Sequence, residues 1–156
     1  MHPTHLPLRL ATGAFILNSG LSKLGADEDT ATFLHGAAAG TYPAVFKDME
    51  PKTFATLLAY GEIGVGVVLL VPMVPATVAG AALTGFGASL MGTYFTNPAM
   101  TQADGIRPSP EGTGLAKDVW LVGAGLTLLT QGIGWAAKKK AQATGKKIRE
   151  VAPFTS

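Results

Sequence analysis

The residues best suited to chemistry are polar side chains that interrupt long apolar stretches: Glu62, Lys23, Asn18, Ser22 and Lys117. Glu62 lies about eight residues, or ~12 Å of helix, inside its apolar stretch. Where such a stretch crosses a membrane, a carboxylate must face other helices, be protonated or pair with a cation, and such groups are often functional. Two interpretations of Glu62 stay open: a ligand or proton site, or a purely structural network.

The composition indicates that these stretches cross a bilayer. The chain has 156 residues, of which 47% are hydrophobic and 14% charged, whereas soluble domains carry about 25% charged residues. Four apolar runs approach the ~20 residues that cross a hydrocarbon core: residues 6–24, 54–71, 76–95 and 119–137. We therefore predict an all-α fold, a transmembrane four-helix bundle over residues 1–137 followed by a basic tail over residues 138–156.

Loop composition predicts how the bundle is oriented. Pro72 and Pro75 are expected to break the chain between the second and third spans. Six of the twelve Lys and Arg residues lie between Lys138 and Arg149, whereas the segment Gly25–Thr53 is acidic. The positive-inside rule then places both termini in the cytoplasm and the two longer loops outside. The prediction is a multi-pass protein of the cell membrane, and the basic tail is a topology signal rather than a nucleic-acid site.

A short extracytoplasmic helix is predicted in the first outer loop. Asp27 and the two acids after it suit a helix N-terminus. Residues 30–39 are compatible with a helix, and Gly40 could end it. Pro51 is expected at the first helical position of the second span. We expect the short helix to lie on the outer surface of the bundle.

The predicted topology gathers the ionisable residues near the outer ends of the spans in one half of the membrane: Lys23, Glu62, Lys117 and Asp118. Asn18 and Ser22 are four residues apart, so they share one face of the first helix at a similar depth. We therefore predict a polar pocket open to the outside, with Glu62, Lys23, Asn18, Ser22 and Lys117 as its candidate ligand-binding or proton-binding residues.

The cysteine and histidine content limits which metals and cofactors the chain could bind. The sequence contains no cysteine, and its histidines, at positions 2, 5 and 35, lie outside the predicted spans. We expect no metal site, no histidine-ligated haem and no required cofactor, and no catalytic residue can be assigned. Arg9 is expected to anchor the first span at the interface, and the aromatic residues near span ends suit an aromatic belt, with quinone stacking as the alternative. Small residues favour close packing within the bundle, with a homodimer seam as the alternative.

Three short motifs resemble the DoxX-like family of small membrane proteins. They are Arg9–Phe15 continuing to Gly20–Lys23, then Gly61–Gly64, and finally Lys117-Asp118 before the last span. The resemblance covers about residues 8–137 and implies a four-helix transmembrane bundle. It also implies an association with redox chemistry, since some relatives are membrane subunits of quinone-linked oxidoreductases and others are scaffolds for enzymes that detoxify oxidants.

These observations favour a membrane accessory or anchoring subunit of a redox or oxidative-stress-related complex, not catalytic by itself. The resemblance implies quinone as its ligand and a redox enzyme subunit as its partner. The alternative is a small proton-coupled transporter that uses Glu62 and works as a homo-oligomer, most simply a dimer.

Overall fold

A computed structural model describes residues 3–151 as an all-α protein. Seven α-helices follow one another in this part of the chain. Apart from one isolated antiparallel bridge between Thr101 and Pro108, the described residues form no β-structure. The helices are α1 (Leu6–Lys23), α2 (Glu28–Thr41), α3 (Pro43–Phe46), α4 (Pro51–Leu70), α5 (Ala76–Thr96), α6 (Thr113–Ala116) and α7 (Val119–Val151). The four longest runs of apolar sequence therefore all lie in helices, α1, α4, α5 and α7.

Side-chain caps fix where α2 and α4 begin. The Asp27 carboxylate accepts a hydrogen bond from the Thr30 amide at 2.9 Å. The Glu50 carboxylate accepts from the Thr53 amide at 2.8 Å, and Pro51 occupies the first turn of α4 as predicted. Each cap satisfies amides that have no partner inside the helix. The hydrogen bonds from Thr30 and Thr53 lower the pKa of Asp27 and Glu50.

The first loop is more helical than the sequence indicated. Helix α2 extends to Thr41, past the predicted end at Gly40. Gly40 does not adopt the positive φ that ends many helices at glycine, in contrast to Gly25, whose φ is 76°. Instead α2 ends just before Pro43, which opens α3 and supplies no amide for a continuing helix.

The predicted break between the second and third spans is confirmed. Helix α4 ends at Leu70 and α5 begins at Ala76, so the two prolines lie in the turn between them. The two helices then diverge: α1 packs along α4, α5 packs along α7, and contacts between these two pairs are sparser. Where the pairs meet they share one core, composed of Ile16, Leu69, Ala79, Leu83, Leu121 and Leu128.

Glycines bring the backbones close within each pair. A Cβ on Gly66 would lie 2.8 Å from Cβ of Leu17, and a Cβ on Gly132 would lie 2.7 Å from the Thr77 amide nitrogen. By contrast, Gly85 of α5 has open space around it. Glycines therefore support the α1–α4 and α5–α7 contacts, whereas Gly85 does not contribute to them.

Two helical regions among the described residues are long and apolar enough to cross a membrane: α4, and the stretch Thr113–Lys147 that contains most of α7. The charges in α1 and the glycines and threonines in α5 lower the mean hydropathy of those two helices. Crossing by all four helices thus stays a prediction. Helix α7 continues without a break into the basic segment, and residues 152–156 of the predicted tail lie outside the described residues.

Candidate functional site

A buried ion pair joins α1 to α4. The Lys23 ammonium lies 2.8 Å from Oε2 of Glu62, whose side chain is 5% exposed. Lys23 also donates to the Ser19 hydroxyl at 2.7 Å and to the Ser19 carbonyl at 3.3 Å. Three acceptors thus surround the ammonium, which compensates for its removal from water. Of the predicted site residues, Lys23 and Glu62 are the two that touch each other.

The close approach of α1 and α4 positions this pair. A Cβ on Gly20 would lie 2.7 Å from the Ala59 carbonyl oxygen and 2.9 Å from the Glu62 Cβ. Any larger residue at position 20 would separate the helices and lengthen the ion pair. Ser19, which sequence reasoning missed, completes the site. The sequence could have indicated this contact, because Ser19 and Lys23 are four residues apart and therefore lie on one face of α1.

Asp118 lies near the pair, whereas Lys117 points into solvent or lipid. Asp118 is half-buried and close enough to Glu62 and Lys23 to interact electrostatically with both. Lys117 is exposed and shows no ion pair among the described residues. The segment before α7 therefore contributes a second carboxylate to this end of the bundle rather than the second cation that the sequence suggested.

Asn18 and Ser22 are not part of this cluster in the structure. Both residues are exposed on α1. The Ser22 hydroxyl donates to the Ser19 carbonyl at 2.8 Å, within its own helix. The spacing of Asn18 and Ser22 correctly placed them on one face, but that face does not contact α4, and their assignment as ligand residues stays a prediction.

Beside the ion pair, a cavity of about 840 Å³ separates the two helix pairs. We refer to it as the Glu62 cavity. Its walls come from α2, α4 and α5, and the segment between α5 and α7 closes part of it. The aromatic lining consists of Phe33, Tyr42, Phe46, Phe54 and Phe86, and the acidic lining of Glu62 and Glu111. Lys23, Asn18, Ser22 and Lys117 are not in the lining.

The contribution of α2 to this cavity was only partly visible in the sequence. Phe33, Leu34 and Ala37 of α2 all line the cavity. Tyr42, at the end of α2, donates a hydrogen bond to the Ser89 carbonyl of α5 at 3.1 Å. Helix α2 is therefore held against α5 and forms a wall of the cavity.

The structure corrects the interpretation of Arg9 as an interface anchor. Arg9 is 1% exposed. Its guanidinium donates hydrogen bonds of 2.6–2.9 Å to four backbone carbonyls at the end of α4 and in the following turn, those of Val68, Leu69, Val71 and Val74. The carbonyls of Val68 and Leu69 belong to the last turn of α4, where helix carbonyls lack the usual amide partner, so Arg9 caps α4 and, through Val71 and Val74, holds the turn to α5. Sequence alone gave no indication of this role.

The comparisons with known proteins identify the family of this chain. The structure defines an all-helical protein with two helical regions that are able to span a bilayer. Residues 4–94, more than half of the chain, match the family model described as DoxX, so the chain belongs to the DoxX family and is a membrane protein. No curated protein and no solved structure matches it. The matched residues include α1 to α4, most of α5, and the Lys23–Glu62 pair, and they end before the segment that carries Glu111 and Asp118.

Proposed function

We propose that this chain is a four-span membrane protein that binds an apolar, ring-bearing ligand of the quinone type in the Glu62 cavity. In this proposal both termini face the cytoplasm, and the protein serves as a non-catalytic membrane subunit of a redox or oxidative-stress-related complex. The observation that carries the proposal is the cavity itself, an apolar space between two helix pairs with a buried ion pair at its edge.

The size and lining of the cavity suit such a ligand. Binding sites for small organic molecules are clefts of about 300–1,000 Å³ with mostly apolar walls and a few polar groups, and this cavity measures about 840 Å³. Aromatic rings from α2, α4 and α5 supply surfaces against which a flat ring can stack. Phe46 and Phe54 already pack edge to face, with ring centroids 5.1 Å apart.

Glu62 supplies the directional polar contact. An ionised carboxylate has about four lone-pair positions, and the Lys23 ammonium occupies one of them. The side chain of Glu62 also borders the cavity, so a ligand hydroxyl can donate to it. A hydroquinone has such hydroxyls at both ends of its ring. Lys23 would keep the carboxylate oriented while the ligand binds.

The residue inventory supports an accessory role. The sequence has no cysteine, and its three histidines lie outside the predicted spans. His35, in α2, is engaged through Nε2 with the Phe46 carbonyl at 2.8 Å. A quinone would supply redox capacity when bound, but the electrons would have to come from a partner protein. We therefore propose that an enzyme subunit docks on this protein.

The test of ligand binding is a variant that fills the cavity. Gly85 lines the Glu62 cavity, and a Cβ at this position would meet no atom within 4 Å. Gly85→Leu should weaken binding of a short-chain ubiquinone analogue by about tenfold or more, because the leucine would occupy space that the bound ring needs, and overfilling of that kind costs about 1–3 kcal/mol. Affinity would be measured by fluorescence quenching or native mass spectrometry in detergent.

Gly123→Leu is the matched control. Gly123 also has open space around it, but it lies on α7 outside the cavity lining. Equal binding by wild type and Gly85→Leu would exclude the cavity as the site. If the purified protein binds no quinone but moves protons across proteoliposomes, and Glu62→Gln stops that flux, the transporter alternative would replace the proposal.

The accessory role and the orientation need separate measurements. Deleting this chain should release its partner enzyme from the membrane fraction, and unchanged attachment of every co-isolated enzyme would refute the role. Because the sequence has no cysteine, single cysteines report topology cleanly. Lys47→Cys should react with an impermeant maleimide in intact cells, whereas Met73→Cys and Ala143→Cys should react only after lysis. Any other labelling pattern would contradict four spans with both termini inside.

A further inference from the structure

A second cavity lies at the opposite end of the protein, where the start of α1 meets α7. We refer to it as the Trp135 pocket. It measures about 320 Å³ and is lined by Thr4, His5, Gln131, Gly134, Trp135 and Lys138. No residue of the Glu62 cavity takes part, and residues 131–138 lie beyond the part of the chain that matches the DoxX model. The pocket is thus independent of the proposed quinone site.

The described lining of the Trp135 pocket is rich in hydrogen-bond donors. The amide of Gln131, the indole N–H of Trp135 and the ammonium of Lys138 are hydrogen-bond donors on α7. Thr4 and His5, which precede α1, complete the described lining. None of the described lining residues is a carboxylate. Such a lining favours an anion with several oxygen atoms.

The charge distribution along the sequence reinforces this preference. Every acidic residue except Glu150 lies between Asp27 and Asp118. The ends of the chain that form the pocket, residues 4–5 and 131–138, therefore contain no acid to compete for Lys138. The basic run also continues beyond the pocket: Lys139 lies over the Trp135 ring, with Nζ 5.4 Å from the ring centroid. The pocket thus lies at the positive end of the molecule.

The depth of the pocket matches the headgroup region of a bilayer. Lys138 follows Val119 by 19 residues of continuous helix, which corresponds to ~28 Å at the rise of an α-helix. A hydrocarbon core is about 30 Å thick. Trp135 would therefore lie at the interface, where tryptophan is enriched, and Lys138 would lie at the level of the lipid phosphates.

We propose that the Trp135 pocket binds a phosphate-bearing anion, the headgroup of an acidic phospholipid in the leaflet on this side. Lys138 supplies the charge that pairs with the phosphate. Gln131 and Trp135 donate from α7, and the bound phosphate lies beside Thr4 and His5, which precede α1. The same chemistry would accept a soluble phosphate ester, and the experiment distinguishes the two sources.

The test titrates the purified full-length protein in detergent with short-chain phosphatidylglycerol and with phosphatidylcholine, and measures bound lipid by native mass spectrometry. Wild type should bind phosphatidylglycerol several-fold more tightly than phosphatidylcholine. Lys138→Gln should weaken phosphatidylglycerol binding about fivefold, the contribution typical of one basic residue near an anionic surface. Lys147→Gln, an equal change of charge about two and a half helical turns further along α7, should leave the affinity within about twofold of wild type.

A second variant separates the pocket from diffuse charge. A Cβ on Gly134 would meet no atom within 4 Å, so Gly134→Leu fills the pocket without changing any charge. It should weaken phosphatidylglycerol binding as much as Lys138→Gln, whereas Gly123→Leu should not. Thermal unfolding in the same detergent would show whether each variant is folded. Lys138→Arg keeps the positive charge and should retain the phosphatidylglycerol affinity of the wild type.

Displacement by a soluble phosphate ester identifies the source of the phosphate, and the variants test whether the pocket binds it. Displacement of bound phosphatidylglycerol by millimolar glycerol phosphate would support the site with a soluble phosphate ester as its ligand, and resistance to displacement would support the lipid. Equal losses in Lys138→Gln and Lys147→Gln, with no loss in Gly134→Leu, would overturn the proposal in favour of nonspecific attraction. Equal affinity of wild type for the two lipids, with no binding of glycerol phosphate, would also overturn it.

Discussion

Replacing Arg9 by lysine tests whether the guanidinium holds the turn between the two helix pairs. The arginine donates to four backbone carbonyls through three nitrogen atoms, Nε, Nη1 and Nη2. A lysine has a single nitrogen with three donors, so it cannot reach all four oxygens. If one or two of these carbonyls lose their partner at about 1–3 kcal/mol each, Arg9→Lys should lower the free energy of unfolding by ~1–6 kcal/mol.

The assay is reversible unfolding in mixed micelles, followed by circular dichroism. Arg107→Lys is the matched control, because the Arg107 side chain is 71% exposed and pairs locally with Asp104. This control should change stability little, since exposed ion pairs contribute little. Equal stability of Arg9→Lys and the wild type would refute the capping role. A loss of the same size in both variants would show that any arginine-to-lysine change perturbs the micelle assay.

Three further predictions follow from the contacts of α1 and α2. Gly20→Val should destabilise the protein by about 1–3 kcal/mol or more because its side chain would overlap the backbone of α4. The control Gly64→Val places its side chain in open space and should not destabilise the protein in this way. Equal unfolding curves for the two variants would contradict the close approach of α1 and α4 at Gly20. Lys23→Met should lower the free energy of unfolding by about 3–5 kcal/mol, because it leaves the buried Glu62 unpaired. Adding Glu62→Gln should recover part of that loss. Additive losses of the two single variants in the double-mutant cycle would argue against the ion pair. Because folding lowers the pKa of Asp27, its cap contributes fully above the unfolded pKa of about 3.9 and is lost as pH falls through the lower folded value. The protection of the first α2 amides against hydrogen exchange, relative to their intrinsic rates at each pH, should therefore fall at acid pH, and an Asp27→Asn variant that keeps the same pH dependence would contradict this.

The local features of the fold could be predicted from sequence because they depend on neighbouring residues. Pro72 and Pro75 predicted the break between α4 and α5, since proline lacks an amide donor and restricts the residue before it. Pro51 predicted the start of α4, and the acids from Asp27 predicted the start of α2. The family was also recognisable from short motifs. Gly40 shows the limit of this reasoning, because glycine permits a helix end without requiring one.

The site could be predicted only in part. Glu62 and Lys23 were identified because ionisable groups in apolar segments need partners, and the structure pairs them. Asn18 and Ser22 were grouped with them by depth alone. Depth along a helix follows from residue number, whereas the direction a side chain faces relative to another helix depends on how the helices pack. The structure exposes both residues and places Ser19 at the ion pair instead.

By itself, then, the sequence determined the four long helical segments, the starts of α2 and α4, the break between α4 and α5, and the need for Glu62 to have a partner. Each of these follows from the preferences of single residues or from spacing within one helix. The tertiary structure alone decided that Arg9 caps a distant helix, that α2 lines the Glu62 cavity, and that the chain ends form the Trp135 pocket. Those features join residues about 60 to 130 positions apart or unite three helices, and the packing of whole helices sets such distances.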